Sequence, residues 1–270
     1  MLYLTPAYTA YIIILTAVLG MVMGSFTNCM AWRIAHGEDF VHGRSHCAVC
    51  GHQLSAKDLI PVLSWFLMKG KCRYCGEKIS IRYPITEILS GIAFAAILLR
   101  YGLSYDTLQF FVLTIILLAV ALVDLDISII PDSFIIAGIL NRLLFASISG
   151  IATGNVFKNA ITSIANGLII AVPLFILVVI MDRVLKKESM GGGDIKLFFM
   201  TAMYFNWKCN LFAILLSCIL GIIFTVVFNN IKTGDDENPT AFPFGPSISA
   251  AAFISILAAQ QIIDLYLSLF

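Results

Sequence analysis

Two sets of residues in this chain are spaced for chemistry. The first is four cysteines in two matched turns, Cys47-Ala-Val-Cys50-Gly51 and Cys72-Arg-Tyr-Cys75-Gly76. Each turn can aim two sulfurs at one ion, the glycine permits the tight backbone, and four thiolates suit tetrahedral Zn²⁺. The second set is the acids at the ends of apolar runs: Asp124, Asp126, Asp132 and Asp194. An ionisable group at a membrane boundary is costly and marks either function or a satisfied cap. One acid from the Asp124-Leu125-Asp126 stretch together with Asp194 would form a pair sharing one proton, because two close carboxylates do not both ionise cheaply. One would act as base on a water and the other would donate to a carbonyl oxygen, which is aspartic peptidase chemistry.

Helical geometry sorts these acids only in part. On a continuing helix Asp124 and Asp126 point about 200° apart, so at most one faces a shared cleft, and spacing does not choose between them. Asp132 follows Pro131 and precedes an apolar run, the place for a capping carboxylate. Asp194 closes Gly191-Gly192-Gly193-Asp194, where Gly191 and Gly193 would permit strained dihedrals and the close approach of a substrate backbone. For the cysteines, a disulfide pair or a redox dithiol is the competing reading, and stable disulfides are disfavoured on the cytoplasmic side. His36, His42, His46 and His52 lie near the first turn, but four cysteines already close a tetrahedral site.

The elements that must position these residues are membrane helices. Apolar residues make up 60% of the chain and charged residues 12%, outside the soluble range. A net charge of +1 gives no basic field for nucleic acid, and none is expected as a partner. Apolar runs cover Ala10 to Met30, Pro84 to Leu99, Thr107 to Val123, Ser133 to Ser149, Ala160 to Met181, Leu211 to Phe228 and Ser247 to Phe270. Most approach the ~20 residues that cross a bilayer. The stretch Ile195 to Trp207 is short for a span, and a turn at Asn206 to Asn210 would separate it from the next run. The expected fold is therefore an all-α polytopic membrane protein of about eight transmembrane helices, with membrane lipid as its surroundings. A small zinc-binding domain lies between helices 1 and 2.

The first run has Arg33 and Arg44 after it and no Lys or Arg before it, the reverse of a signal peptide, so it reads as a retained helix with its N-terminus outside. Alternation then puts 31–83, 124–132, 182–194 and 229–246 in the cytoplasm. Of 17 Lys and Arg, 12 fall there, eight of them in the first loop and one, Lys232, in the last. Residues 1–30 are read as the first transmembrane helix, 31–83 as the cytoplasmic zinc domain and 84–270 as the transmembrane catalytic domain. A cytoplasmic domain of that size has little core, so metal supplies stability that packing cannot.

The chain resembles the bacterial type IV prepilin peptidases, including the bifunctional leader peptidase/N-methyltransferases. The resemblance runs through Gly24-Ser25-Phe26-Thr27-Asn28 with Arg33, both cysteine turns, and Arg82-Tyr83-Pro84 with Glu87. It continues through Asp124-Leu125-Asp126, Ile130-Pro131-Asp132, Met190-Gly191-Gly192-Gly193-Asp194 with Lys196, and Pro243-Phe244-Gly245-Pro246. The Gly-x-Gly-Asp element is that family's signature.

By resemblance the catalytic pair maps to Asp124 and Asp194, with Gly191, Gly193, Asp126 and Asp132 in support. The resemblance also implies an enzyme of the bacterial inner membrane, its active site facing the cytoplasm. It would cleave the basic leader of type IV prepilins or pseudopilins, whose apolar N-terminal helix sits in the bilayer. Bifunctional members then methylate the new N-terminus with S-adenosylmethionine, although no nucleotide-binding fingerprint occurs in this sequence. Two readings from other classes are an ion-coupled transporter built on the boundary acids and a non-enzymatic membrane scaffold presenting a zinc domain.

Overall fold

The computed structural model describes residues 6–39, 42–187, 189–231 and 243–269. Lys232, Phe270 and most of the 229–246 loop lie outside the described residues. The long elements are helices, and the only β-pairing among the described residues is two isolated bridges. In hydrocarbon every backbone N–H and C=O must find a partner within the protein, and a helix satisfies them within one segment. The all-α polytopic architecture follows.

Among the described residues, seven helices are long and apolar enough to cross a membrane: α1 (Pro6–Ala35), α3 (Arg82–Tyr101), α4 (Tyr105–Ile127), α5 (Asp132–Thr153), α6 (Val156–Leu185), α8 (Trp207–Ile231) and α9 (Gly245–Leu267). Two shorter α-helices, α2 (Leu63–Leu67) and α7 (Gly192–Ala202), and one 3-10 turn, Ala56–Leu59, also occur among the described residues. The eighth expected apolar element is α7. Its 11 residues rise only about 16 Å, roughly half of a hydrocarbon core. The chain forms two compact units, Met1–Leu122 and Val123–Phe270.

In the first unit α1 and α3 pack along a seam of small residues. A Cβ on Gly20 would lie 2.6 Å from the Ser90 carbonyl, one on Gly24 would overlap the Ser90 hydroxyl, and one on Gly91 would lie 2.8 Å from Met21 Cγ. Small residues let the backbones approach, as in many membrane helix pairs. Across the seam Ser90 Oγ donates to the Gly20 carbonyl at 2.7 Å, and the Asn28 amide donates to the Thr86 hydroxyl. At the end of α1 the buried Arg33 guanidinium donates to the carbonyls of Asp39, Gly43 and Arg44, fastening the chain that leaves the helix.

In the second unit α7 packs on α5, α6 and α9. It stops inside the bundle because other side chains take its last carbonyls. Arg142 Nε of α5 donates to the Met203 carbonyl at 3.0 Å and to Ser163 Oγ of α6, also at 3.0 Å. The Asn210 amide donates to the carbonyls of Ala202 and Phe205 at 3.1 and 3.3 Å. Tyr204 Oη donates to the Gly138 carbonyl at 2.6 Å and accepts from Asn141 at 2.9 Å. The turn to α8 is Met203 to Asn206, earlier than the Asn206 to Asn210 expected, because Asn206 Oδ1 accepts the Cys209 N–H at 2.9 Å and caps α8.

Arg142, a central charge in the sequence, is therefore a donor to a helix end. Replacing it with Met should lower the thermal midpoint in detergent, costing about 1–3 kcal/mol for the stranded acceptor. A midpoint equal to that of the unsubstituted protein would remove this role.

Candidate active site and metal cluster

Asp124 lies in the last turn of α4 and is buried, at 4% exposure. Its Oδ2 accepts the backbone N–H of Gly245 at 2.8 Å. Gly245 is the first residue of α9, where N–H groups have no partner in their own helix and the dipole favours negative charge. A Cβ on Gly245 would sit 2.5 Å from that same carboxylate oxygen, so the close approach requires glycine. Pro246 follows, a residue suited to a helix start because it carries no N–H. The helix continues to Ile127, and Asp126 turns outward and is exposed. Burial thus separates two acids that angular geometry alone left equivalent.

Asp194 is the third residue of α7 and is partly buried. Its N–H donates to the Gly191 carbonyl at 3.1 Å. Among the charged groups, Asp124 is the one whose field reaches Asp194. The preceding glycines do a different job from the one expected. None of Gly191, Gly192 and Gly193 has a positive φ, so strained dihedrals are not the reason for them. Crowding accounts for two. A Cβ on Gly193 would lie 3.2 Å from Ile130 Cβ, and one on Gly191 would lie 3.3 Å from Asp194 Oδ2. At Gly192 a Cβ would meet open space.

Asp132 does not cap α5. Pro131 occupies the cap position, and the Asp132 carboxylate, in the first turn, pairs with Lys196 at 2.7 Å. Both partners are exposed, so the pair contributes little stability, but it ties the start of α5 to the first turns of α7 beside Asp194. The beginnings of α5, α7 and α9 and the end of α4 therefore meet at one end of this unit.

Gly245 is the residue that sequence reasoning left without a role. The signal was present in Pro243-Phe244-Gly245-Pro246: a glycine directly before proline at a helix start leaves one free N–H aimed outward.

The cysteine turns form a second site, in the first unit. One ligand sulfur from each of Cys47, Cys50, Cys72 and Cys75 lies within 4.8 Å of the others, and the Cys47 and Cys75 sulfurs are 3.9 Å apart. Tetrahedral zinc with bonds of about 2.3 Å places its sulfurs about 3.8 Å apart, so the donor set fits. None of the four histidines joins the cluster; His36 stacks on Trp32 and His52 on Tyr74.

The same geometry is built twice, 25 residues apart. Cys47 N–H donates to the His52 carbonyl at 3.0 Å and Cys72 N–H to that of Glu77 at 2.8 Å. The N–H groups of Gly51 and Gly76 donate to the carbonyls of Cys47 and Cys72, each at 2.9 Å. The bridges His46–Gln53 and Lys71–Lys78 close the two hairpins. Gly51 and Gly76 have φ of 69° and 75°, which only glycine adopts freely. Backbone N–H groups of Cys50 and Val49 hold the Cys47 thiol down at about 7.

A single buried carboxylate ties the second hairpin to the 3-10 turn that follows the first. Asp58 Oδ2 accepts from Ser55 Oγ at 2.7 Å, Ser55 N at 3.0 Å and Tyr74 Oη at 3.0 Å, and Arg73 Nε lies 3.0 Å from Oδ1. The Ser55 hydroxyl is the largest influence holding Asp58 below the usual carboxylate range.

Residues 18–101 match the Bacterial Peptidase A24 N-terminal domain, and residues 111–226 match the Type IV leader peptidase family. The chain is 33% identical to the Type 4 prepilin-like proteins leader peptide-processing enzyme of Escherichia coli O78:H11, over 92% of this chain and 95% of that one. It is 29% identical to a prepilin leader peptidase/N-methyltransferase of Pseudomonas putida, over 94% and 93% of the two chains. A Bacillus subtilis protein of the same name is also 29% identical, over 93% and 96%. No solved structure gives a significant match.

The metal cluster is open to direct measurement. Purified protein should carry about one zinc per chain by elemental analysis. Cys47→Ser with Cys72→Ser should abolish it, and a chelator that strips the metal should lower the thermal midpoint. A metal-free protein of unchanged stability would exclude a structural zinc.

Proposed function

This chain belongs to the type IV leader peptidase family, and we propose that it is an inner-membrane endopeptidase that removes the leader of type IV prepilins or pseudopilins. The observation that carries this reading is the buried Asp124 carboxylate, held by the Gly245 N–H and within electrostatic reach of Asp194. Two acids at one end of a membrane bundle suit acid–base hydrolysis of a peptide bond just outside the lipid. The substrate's apolar helix would lie in the bilayer with its basic leader in the cytoplasm. The positive-charge bias of the loops supports that orientation.

The dyad divides the chemistry between its members. One carboxylate takes a proton from water as the water oxygen attacks the scissile carbonyl carbon. The other, protonated, donates to the carbonyl oxygen, giving a tetrahedral intermediate. Its collapse breaks the C–N bond as a proton passes to the leaving amine. Gly245 fixes one oxygen of Asp124, leaving the second for this work. Gly191 and Gly193 keep the approach to Asp194 free of side chains, while the Asp132–Lys196 pair steadies the start of α7. Asp126 is exposed and takes a peripheral supporting role.

The relatives' names also carry an N-methyltransferase activity, and we extend it to this chain as the second step on the newly exposed amine, with S-adenosylmethionine supplying the methyl group. An open cavity of about 460 Å³ beside α8, lined by Cys218, Gly221, Ile222, Thr225, Val226 and Phe244, has none of the charged groups that a sulfonium nucleoside needs. No step is therefore assigned to particular residues. Zinc held by Cys47, Cys50, Cys72 and Cys75 would organise residues 31–83, the domain between a first helix in 1–30 and the catalytic helices of 84–270.

Cleavage of a prepilin by the purified enzyme tests the dyad. Asp124→Asn and Asp194→Asn should each lower kcat by at least about 10²–10⁴-fold, while Asp126→Asn keeps activity near that of the unsubstituted enzyme. Wild-type rates in both dyad variants would overturn the peptidase reading in favour of a scaffold. Gly245→Ala should cost about 10²-fold, since its Cβ displaces the Asp124 carboxylate without removing it; full activity there would show that the Gly245 contact is dispensable.

A further inference from the structure

The segment between α1 and α3 carries an apolar face that packing among the described residues leaves open. In α2, Leu63, Phe66 and Leu67 are spaced i, i+3 and i+4, on one side of the helix. They are 53%, 61% and 72% exposed, and Ile60, just before them, is 44% exposed. Trp65 faces the other way. Its Nε1 donates to the Ile79 carbonyl at 3.1 Å, and its ring fills the space that a Cβ on Gly70 would enter. A five-residue helix with one side packed on the second cysteine hairpin and the other bare is amphipathic by construction.

Its position is fixed against a membrane span. Val62 N–H donates to Glu87 Oε2 at 2.6 Å. Glu87 is buried and lies five residues into α3, about 7.5 Å along the axis from Arg82. The chain enters α2 through a tight turn in which Leu63 N–H donates to the Pro61 carbonyl and Val62 takes φ 62° and ψ −54°. That conformation is an outlier for a β-branched residue and persists only where surrounding contacts enforce it. The Glu87 bond is such a contact. It holds the start of α2 at the depth of the first turns of α3, which is where headgroups meet acyl chains.

Charge completes the pattern. Residues 54–82 hold six Lys or Arg against Asp58 and Glu77, and Lys57, Lys69, Lys71 and Lys78 are exposed. We propose that the metal-bearing segment lies on the lipid surface, with Leu63, Phe66 and Leu67 inserted at the headgroup–acyl boundary and Lys69 and Lys71 on anionic headgroups. Apolar area supplies the insertion, and the lysines add about 1 kcal/mol each near an anionic surface. This inference rests on the membrane spans alone and stands or falls apart from the peptidase reading.

The test uses full-length protein in nanodiscs, with a spin-labelled keto amino acid at position 67 or at position 49. Val49, 68% exposed on the first hairpin, is the water-facing control. In phosphatidylcholine discs the label at 67 should be accessible to oxygen and shielded from a water-soluble nickel chelate, and the label at 49 should show the reverse. Adding phosphatidylglycerol should deepen the label at 67, and Lys69→Gln with Lys71→Gln should cancel that deepening. Equal nickel accessibility at 67 and 49 would overturn the proposal. Shielding at 67 that appears only when a prepilin is added would overturn it too, showing that this face binds protein instead of lipid. Unchanged depth on adding phosphatidylglycerol would remove the lysine–headgroup contact from it.

Discussion

A backbone inside a lipid bilayer has no water to bond, and every departure from continuous helix must be answered by a side chain. This constraint shapes the second unit. The chain needs an interruption, because acids at the end of a bundle can be presented only where helices start and stop. α7 supplies one, and its two ends are handled differently. Its last carbonyls are taken by Arg142 and Asn210, charged or amide donors borrowed from α5 and α8. Its first turn is left to Asp194 and the glycines before it. Arg142 is thus costly in the membrane and necessary there for one reason: a helix end without donors would be costlier still.

Asp124 solves the opposite problem, a carboxylate withdrawn from water with a single N–H to hold it. The donor comes from the backbone, so its position depends on where α9 begins and not on a rotamer. Preorganisation of this kind suits a group that must stay in place while a substrate enters. The cysteine segment uses the same economy of parts. Two hairpins repeat one set of backbone bonds, and one buried carboxylate, Asp58, gathers the hydroxyls of Ser55 and Tyr74 and the Arg73 guanidinium.

The sequence made the large elements legible because lipid enforces long apolar runs, and six of the seven long runs lie within a helix of the structure; the last, Ser247 to Phe270, outruns α9, which ends at Leu267. The cysteine turns were equally readable, since ligand spacing is local. Which of Asp124 and Asp126 is buried was not, because it depends on which side of α4 meets α9, 121 residues away. The glycines before Asp194 were read as sites of backbone strain, yet their dihedrals are ordinary and their smallness answers to Ile130 and to the Asp194 carboxylate itself. Asp132 looked like a cap because a proline precedes a helix. Lys196, a tertiary neighbour, claims its carboxylate instead.

The seam of Gly20, Gly24 and Gly91 reaches beyond helix packing. It brings α1 and α3 into contact along their length, and Asn28 meets Thr86 near the ends from which residues 36 and 81 depart. The cysteine segment is therefore an insertion between two points that already touch. The entropy of closing a loop there has been met by the helices, so its cost rises only slowly with the length of what is inserted. A two-helix hairpin of this kind makes an interchangeable socket: cargo of another size or architecture can occupy it while the glycine seam beneath keeps its register.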